Sequence, residues 1–170
     1  MDGIKVVNKE LEVIILMGVP GSGKTTFAWN FPEHIHINQD RLGNRNDCIN
    51  AAKRALSHGK SIVIDRTNIS RSQRKYFLDV AKDYGAKTFC IFLDFPAVEC
   101  IERVKGRKEH ETLPASTPES KIIEVVSKFN NNLELPQYYE GFIEIFHTVD
   151  FNDPDFIELV KNRLASEEAG

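Results

Sequence analysis

Cysteine is scarce in this chain: Cys48, Cys90 and Cys100 are the only three, and none has the C-x-x-C spacing of a zinc or redox site. Cys90 falls in an apolar run and Cys100 in a helical pattern, so they read as buried thiols of a reducing compartment. No apolar run approaches the roughly 18 residues that a membrane span needs. The first such run, Leu11 to Gly18, lacks the length and basic flank of a signal peptide. An intracellular protein with no membrane contact is therefore expected. Positive charge is not in excess either, with 22 Lys and Arg against 25 Asp and Glu for a net −3. That balance excludes a surface built to wrap long nucleic acid and leaves room for a local basic groove. Repeats and low-complexity tracts are missing too. The 170 residues, 41% of them apolar and 28% charged, fit one globular domain spanning residues 1–170.

Short apolar runs alternate with amphipathic stretches, the pattern of a parallel sheet covered on both faces. Val13–Met17 predicts a buried first strand, and a helix is expected from Lys24 to about Asn30. His34–Ile37 reads as a second strand running out into Asn38-Gln39-Asp40. Cys48, Ile49, Ala52 and Leu56 recur on one face of a helix from about Arg45 to His58. Ser61–Ile64 is the third strand, with Asp65 at its tip. Ser70 and Gln73 form an S-x-x-Q capping box at the start of the next helix. Thr88–Phe95 gives a fourth strand, and Pro96 opens the helix after it. A polar stretch at about 105–119 reads as a lid loop. A helix over Glu119–Asn130, a fifth strand over Phe142–Val149 and a helix starting at Asp153-Pro154 complete the alternation.

Gly18-Val-Pro20-Gly21-Ser22-Gly23-Lys24-Thr25 satisfies G-x-x-x-x-G-K-[ST] and lies between a strand and a helix, the context this motif requires. Glycines let backbone N–H groups converge on an anion, and the helix start adds its dipole. Lys24 then reaches the β- and γ-phosphates of a nucleotide, and the Thr25 hydroxyl ligates Mg²⁺. Pro20, Gly21, Ser22 and Thr26 complete the nucleotide-binding set. The expected architecture is α/β: a P-loop NTPase fold, a five-stranded parallel sheet with helices on both faces and a small lid, its first strand central. ATP and Mg²⁺ are the expected cofactors.

Ligands of open α/β sheets gather at the carboxyl ends of the strands. Asp65 ends the third strand as a metal-side acid would. Asp40, after the second, is placed to take a proton from an acceptor hydroxyl. Arg103 and Arg107 share one helix edge by their spacing. That spacing fits two arginines facing the phosphates, and equally a basic helix end complementing the macrodipole. Arg66, Arg71, Arg74 and Lys75 form a second basic group, either a grip for an anionic substrate or a solvated face.

Three stretches together resemble the kinase domain of polynucleotide 5′-hydroxyl kinases: Gly18 to Phe27, Ile37-Asn-Gln-Asp40-Arg-Leu-Gly43, and Ile64-Asp65-Arg-Thr-Asn68 with Arg71, Arg74 and Tyr76 beyond. The similarity extends to Glu140-Gly141-Phe142, covers residues 11 to 149, and includes plant kinase-like modules with the same Asp65-Arg66 pair. It implies that Asp40 is the general base, that Arg107 contacts the phosphates in the transition state with Arg103 in support, and that Arg66 and Asn68 belong to the acceptor side. The phage enzymes carry an arginine three residues past the base to grip the acceptor's 3′-phosphate; here Gly43 occupies that position, with Arg41 and Arg45 as the nearest replacements. The implied activity is ATP-dependent transfer to the 5′-hydroxyl of a short single-stranded nucleic acid end. The alternatives are a kinase of a nucleoside, sugar or antibiotic hydroxyl, and a nucleotide-binding regulatory module with little turnover.

Overall fold

The apolar run after Leu11 becomes β1 (Glu12–Met17), and all six of its residues are buried. A strand buried on both faces needs a neighbour at each edge and cover above and below. In the computed structural model, which describes residues 10–106, 117–150 and 153–169, β1 has all four. The other strands are β2 (Ile35–Asn38), β3 (Ile62–Asp65), β4 (Lys87–Leu93) and β5 (Glu144–Thr148). They form one sheet of order β2-β3-β1-β4-β5, parallel throughout, with β1 at its centre. The register sets Asn38 opposite Asp65 at the ends of β2 and β3.

Between the strands run α1 (Lys24–Ala28), α2 (Gln39–Leu42), α3 (Arg45–Ser57), α4 (Arg71–Asp83), α5 (Ala97–Lys105) and α6 (Glu119–Asn131), and α7 (Phe156–Ala169) follows β5. The pleat divides the core in two, because successive side chains of a strand point to opposite faces. Ile14, Leu16, Val63 and Ile91 pack with Ala28, Val104, Val126 and Val160, so α1, α5, α6 and α7 cover one face. Val13, Ile15, Ile62 and Ile64 pack with Cys48, Ala52, Phe77 and Ala81 of α3 and α4 on the other. Among the described residues no helix is long and apolar enough to cross a membrane.

Several boundaries differ from expectation. The first helix stops at Ala28, because the amides of Trp29, Asn30 and Phe31 each turn back three residues, to Thr26, Phe27 and Ala28, and tighten the chain out of the α-helix. Residues expected as the tail of the second strand coil into α2. The fifth strand is shorter than Phe142–Val149, running over Glu144–Thr148, although the Ile143 amide already bonds Thr88 O at 2.8 Å. The Ser70–Gln73 capping box is present at the start of α4. Most of the expected lid, residues 107–116, lies outside the described residues.

The second basic group does not form a shared anion site. Arg74 falls on the buried face of α4 with Phe77, Leu78 and Ala81, and is itself 0% exposed. Its guanidinium is bidentate on Glu140, at 2.9 and 3.0 Å, and also donates to Asn68 O at 3.0 Å. Arg71 pairs instead with Glu134 at 3.3 Å, and Lys75 with Asp79 at 3.0 Å.

Candidate phosphoryl-transfer site

The loop between β1 and α1 owes its shape to three glycines. A Cβ at Gly18 would stand 2.4 Å from Ser22 Oγ and 3.1 Å from Leu93 O. One at Gly21, already at φ +86°, would meet Cys100 O at 2.4 Å. Gly23 caps α1 at φ 82°, in the left-handed region that side chains disfavour. No side chain caps α1 and its first turn holds no acidic residue, so the positive end of the helix faces the loop. The Lys24 side chain reaches back across the loop. Its ammonium donates to Gly18 O at 3.0 Å and Val19 O at 3.1 Å, and the residue is 2% exposed. Thr26 is exposed on the same turn, and Pro20 and Ser22 are buried within the loop.

Asp65 is the hub of the neighbouring crevice. One oxygen, Oδ2, accepts from Thr25 Oγ1, His36 Nε2 and Asn38 Nδ2, each at 2.7 Å. Burial raises the pKa of this carboxyl, but the hydrogen bonds from His36, Thr25 and Asn38 and the charge of Lys24 outweigh that and hold it below the ordinary value. The other oxygen, Oδ1, is buried with no hydrogen-bond partner. An orphaned carboxylate oxygen beside a threonine hydroxyl is a hard-oxygen pair that suits Mg²⁺. Among the described residues no group of three or more His, Cys, Asp or Glu could hold a metal ion without other ligands. A cation here therefore needs further oxygens, such as those of phosphates.

Asp40 stands in α2, exposed, on the far side of Asn38. The Asn38 side chain caps α2 by accepting from Arg41 N at 3.0 Å. Arg41 also donates through Nη2 to His36 O, folding back on β2. Arg66 Nε donates to Gln39 Oε1 at 3.1 Å, next to Asp40, and the Arg45 guanidinium lies 4.1 Å above the Tyr76 ring. Arg41 thus belongs to α2, Arg66 reaches its first residue, and Arg45 opens the next helix, α3. Arg103 occupies the last turn of α5, the helix whose Cys100 carbonyl and Val104 crowd Gly21. Arg107 lies outside the described residues.

One expected site residue is corrected. Asn68 is 1% exposed, sits at φ 49°, and donates its amide to Leu16 O at 2.8 Å and Arg66 O at 3.1 Å. It shapes the turn after β3 and is closed to an acceptor. Conversely, sequence reasoning assigned nothing to His36 and Asn38. Their signal was available: they are the polar alternates of the short strand Ile35–Asn38, two residues apart and therefore on one face.

The chain is 32% identical over 165 residues to the transcription factor bHLH140 of Arabidopsis thaliana, covering 89% of this chain and 17% of that protein. It is 32% identical over 162 residues to a putative bifunctional polynucleotide phosphatase/kinase of Acanthamoeba polyphaga mimivirus, covering 89% of this chain and 37% of that one. The chain thus spans well under half the length of these curated relatives. Among solved structures, a fungal RNA kinase superposes with a TM-score of 0.72 at 17% identity, covering 94% of this chain and 88% of the other. Chaetomium thermophilum Kti12 in complex with ADP-AlF3 superposes with a TM-score of 0.69 at 17% identity, covering 93% and 100%. Both share the parallel α/β fold. Residues 37–132, more than half of the chain and including both Asp40 and Asp65, match the AAA domain family, and the protein belongs to that family.

Proposed function

We propose that this protein transfers the γ-phosphoryl group of ATP to the 5′-hydroxyl of a polynucleotide or oligonucleotide end. One observation carries the reading: β2 and β3 end side by side, so the acid beside Thr25 and the helix bearing Asp40 flank one crevice next to the phosphate loop. In this reading Lys24 leaves the loop carbonyls for the β- and γ-phosphates, which offer it a stronger, charged acceptor. Thr25 and Asp65 would hold Mg²⁺, whose contribution is to neutralise phosphate charge. Asp40 takes the proton of the acceptor hydroxyl as its oxygen bonds to the γ-phosphorus; the β–γ bridging bond breaks and ADP leaves. Arg103, with Arg107, balances charge on the phosphoryl group in flight. Arg41, Arg45 and Arg66 grip the acceptor's phosphates.

The relative named for polynucleotide phosphatase and kinase activity supports this acceptor class, as does the fold shared with an RNA kinase. The neighbour captured with ADP-AlF3 supports nucleotide binding. The test is a radiolabel transfer assay comparing a 5′-hydroxyl oligonucleotide, the same strand already 5′-phosphorylated, and a panel of nucleosides, sugars and antibiotics. Label is expected on the free 5′ end alone. Transfer to a small hydroxyl compound with the oligonucleotide left unlabelled would overturn the nucleic-acid acceptor.

A further inference from the structure

We propose that Asn38 is a positioning residue, which ties the helix carrying the general base to the carboxylate on the nucleotide side; the proposal rests on the roles given above to Asp40 and Asp65. Asn38 is the last residue of β2, 8% exposed, and stands in register with Asp65. Its Nδ2 donates to Asp65 Oδ2 at 2.7 Å, and its Oδ1 accepts from Arg41 N at 3.0 Å. The two partners fix which way the amide points, since a carboxylate can only accept here and a backbone N–H can only donate. Few side chains can do both. Aspartate would cap α2 but repel Asp65, and serine would cap α2 but fall short of it.

This link matters because α2 is only four residues long. Helices of that length have no stability of their own, so what holds their ends decides where they sit. The cap at Arg41 is one such hold, and the Arg41 side chain on His36 O is another. His36 completes the arrangement from the same face of β2 as Asn38, through its own hydrogen bond to Asp65 Oδ2. A shift of Asp65 on loading the nucleotide site would therefore be felt at Asp40 through a single side chain.

Asn38→Ser tests the link, because serine is a good N-cap and leaves α2 capped while severing it from Asp65. The kcat should fall about tenfold, equivalent to ~1.4 kcal/mol, with KM for ATP and acceptor within about twofold. Hydrogen exchange at the Arg41 amide should quicken in Asn38→Ser, which keeps the cap but loses the link, and quicken further, about tenfold, in Asn38→Ala, which removes the cap as well. The same amide should also quicken in Asp65→Ala, though Asp65 does not touch it, with exchange in β1 as the reference for global unfolding. A wild-type kcat in Asn38→Ser, or an Arg41 amide indifferent to Asp65→Ala, overturns the proposal. Asp40→Asn in the same assay separates the two levels. If it is inactive while Asn38→Ser is normal, the link alone falls. If it keeps the wild-type rate, the reading of the site falls and the link with it.

Discussion

Asp65 ends β3 and Asp40 lies two residues past the end of β2, yet in the proposed reading their surroundings divide the work. Asp65 is fully buried under three donors, whereas Asp40 is exposed on a helical turn where a substrate hydroxyl can reach it. Asp40→Asn keeps the side-chain volume and should leave ATP affinity unchanged, while the transfer rate falls about 10²-fold or more. Weakened ATP binding with near-normal turnover would make Asp40 a nucleotide-side residue instead. The thiols make a second test at this scale. Burial pushes Cys90 up to about 12 and Cys100 up to about 11, from an unfolded value of 9.0. Only the thiolate reacts, so the native protein at pH 8 should resist alkylation at both sites and take it up once denatured, as mass spectrometry would register. By linkage, the stability these protonated thiols contribute is complete below pH 9 and is lost as pH rises from there through the folded values. Rapid native labelling of Cys90 would mean that β4 opens locally. The phosphate loop could be read from the sequence because its backbone demands particular residues at fixed spacing. Asn68 could not, since its amide closes on Leu16, 52 residues away.

The elements show where legibility ends. A capping box is a local signal, and Ser70 with Gln73 announced α4 four residues at a time. Helix α2 had no such signal, because its cap is also a strand residue and its support comes from β2 and β3. Arg74 illustrates the same limit. From the sequence it reads as part of an anion grip or of a solvated face, because the partner that makes its burial tolerable, Glu140, lies 66 residues on in a 3₁₀ turn. Removing one member of such a pair strands the other charge in the interior. Arg74→Ala should therefore destabilise the protein by roughly 3–5 kcal/mol, measured by denaturant unfolding. A loss under about 1 kcal/mol would mean that water reaches Glu140 in the variant. Because Arg74 also holds the carbonyl of Asn68, nucleotide affinity in the surviving native fraction reports whether the turn after β3 keeps its shape.

For the whole molecule the question is how a net charge of −3 would coexist with the nucleic-acid acceptor proposed above. Among the described residues, Arg41, Arg45 and Arg66 make a local set of guanidiniums near α2, which can hold few phosphates at once. Single strands lose affinity with a log–log salt slope of about −0.7 per phosphate contact. Two or three contacts predict a shallow slope, roughly −1.5 to −2, with affinity rising from nucleoside to short oligonucleotide and then levelling off. A slope of zero together with no dependence on strand length would favour a small acceptor. The five-stranded parallel sheet and the central place of β1 were legible at this scale, because buried runs and crossover lengths leave few parallel topologies open, whereas the order of the outer strands was not.

The edge position of β2 has a consequence for how the protein is made. This strand is held in the sheet by one ladder, to β3, four residue pairs long. Its polar alternates, His36 and Asn38, turn toward Asp65 while Ile37 enters the opposite core. A slip of one residue would exchange those faces, setting isoleucine before the carboxylate and two polar groups among Cys48, Ala52 and Phe77. The other four strands would still pair, so a misassembled chain could look folded to a spectrometer and yet be inert. Chains recovered from denaturant would then divide into active and silent populations, and the active fraction would count how often the last strand closed correctly.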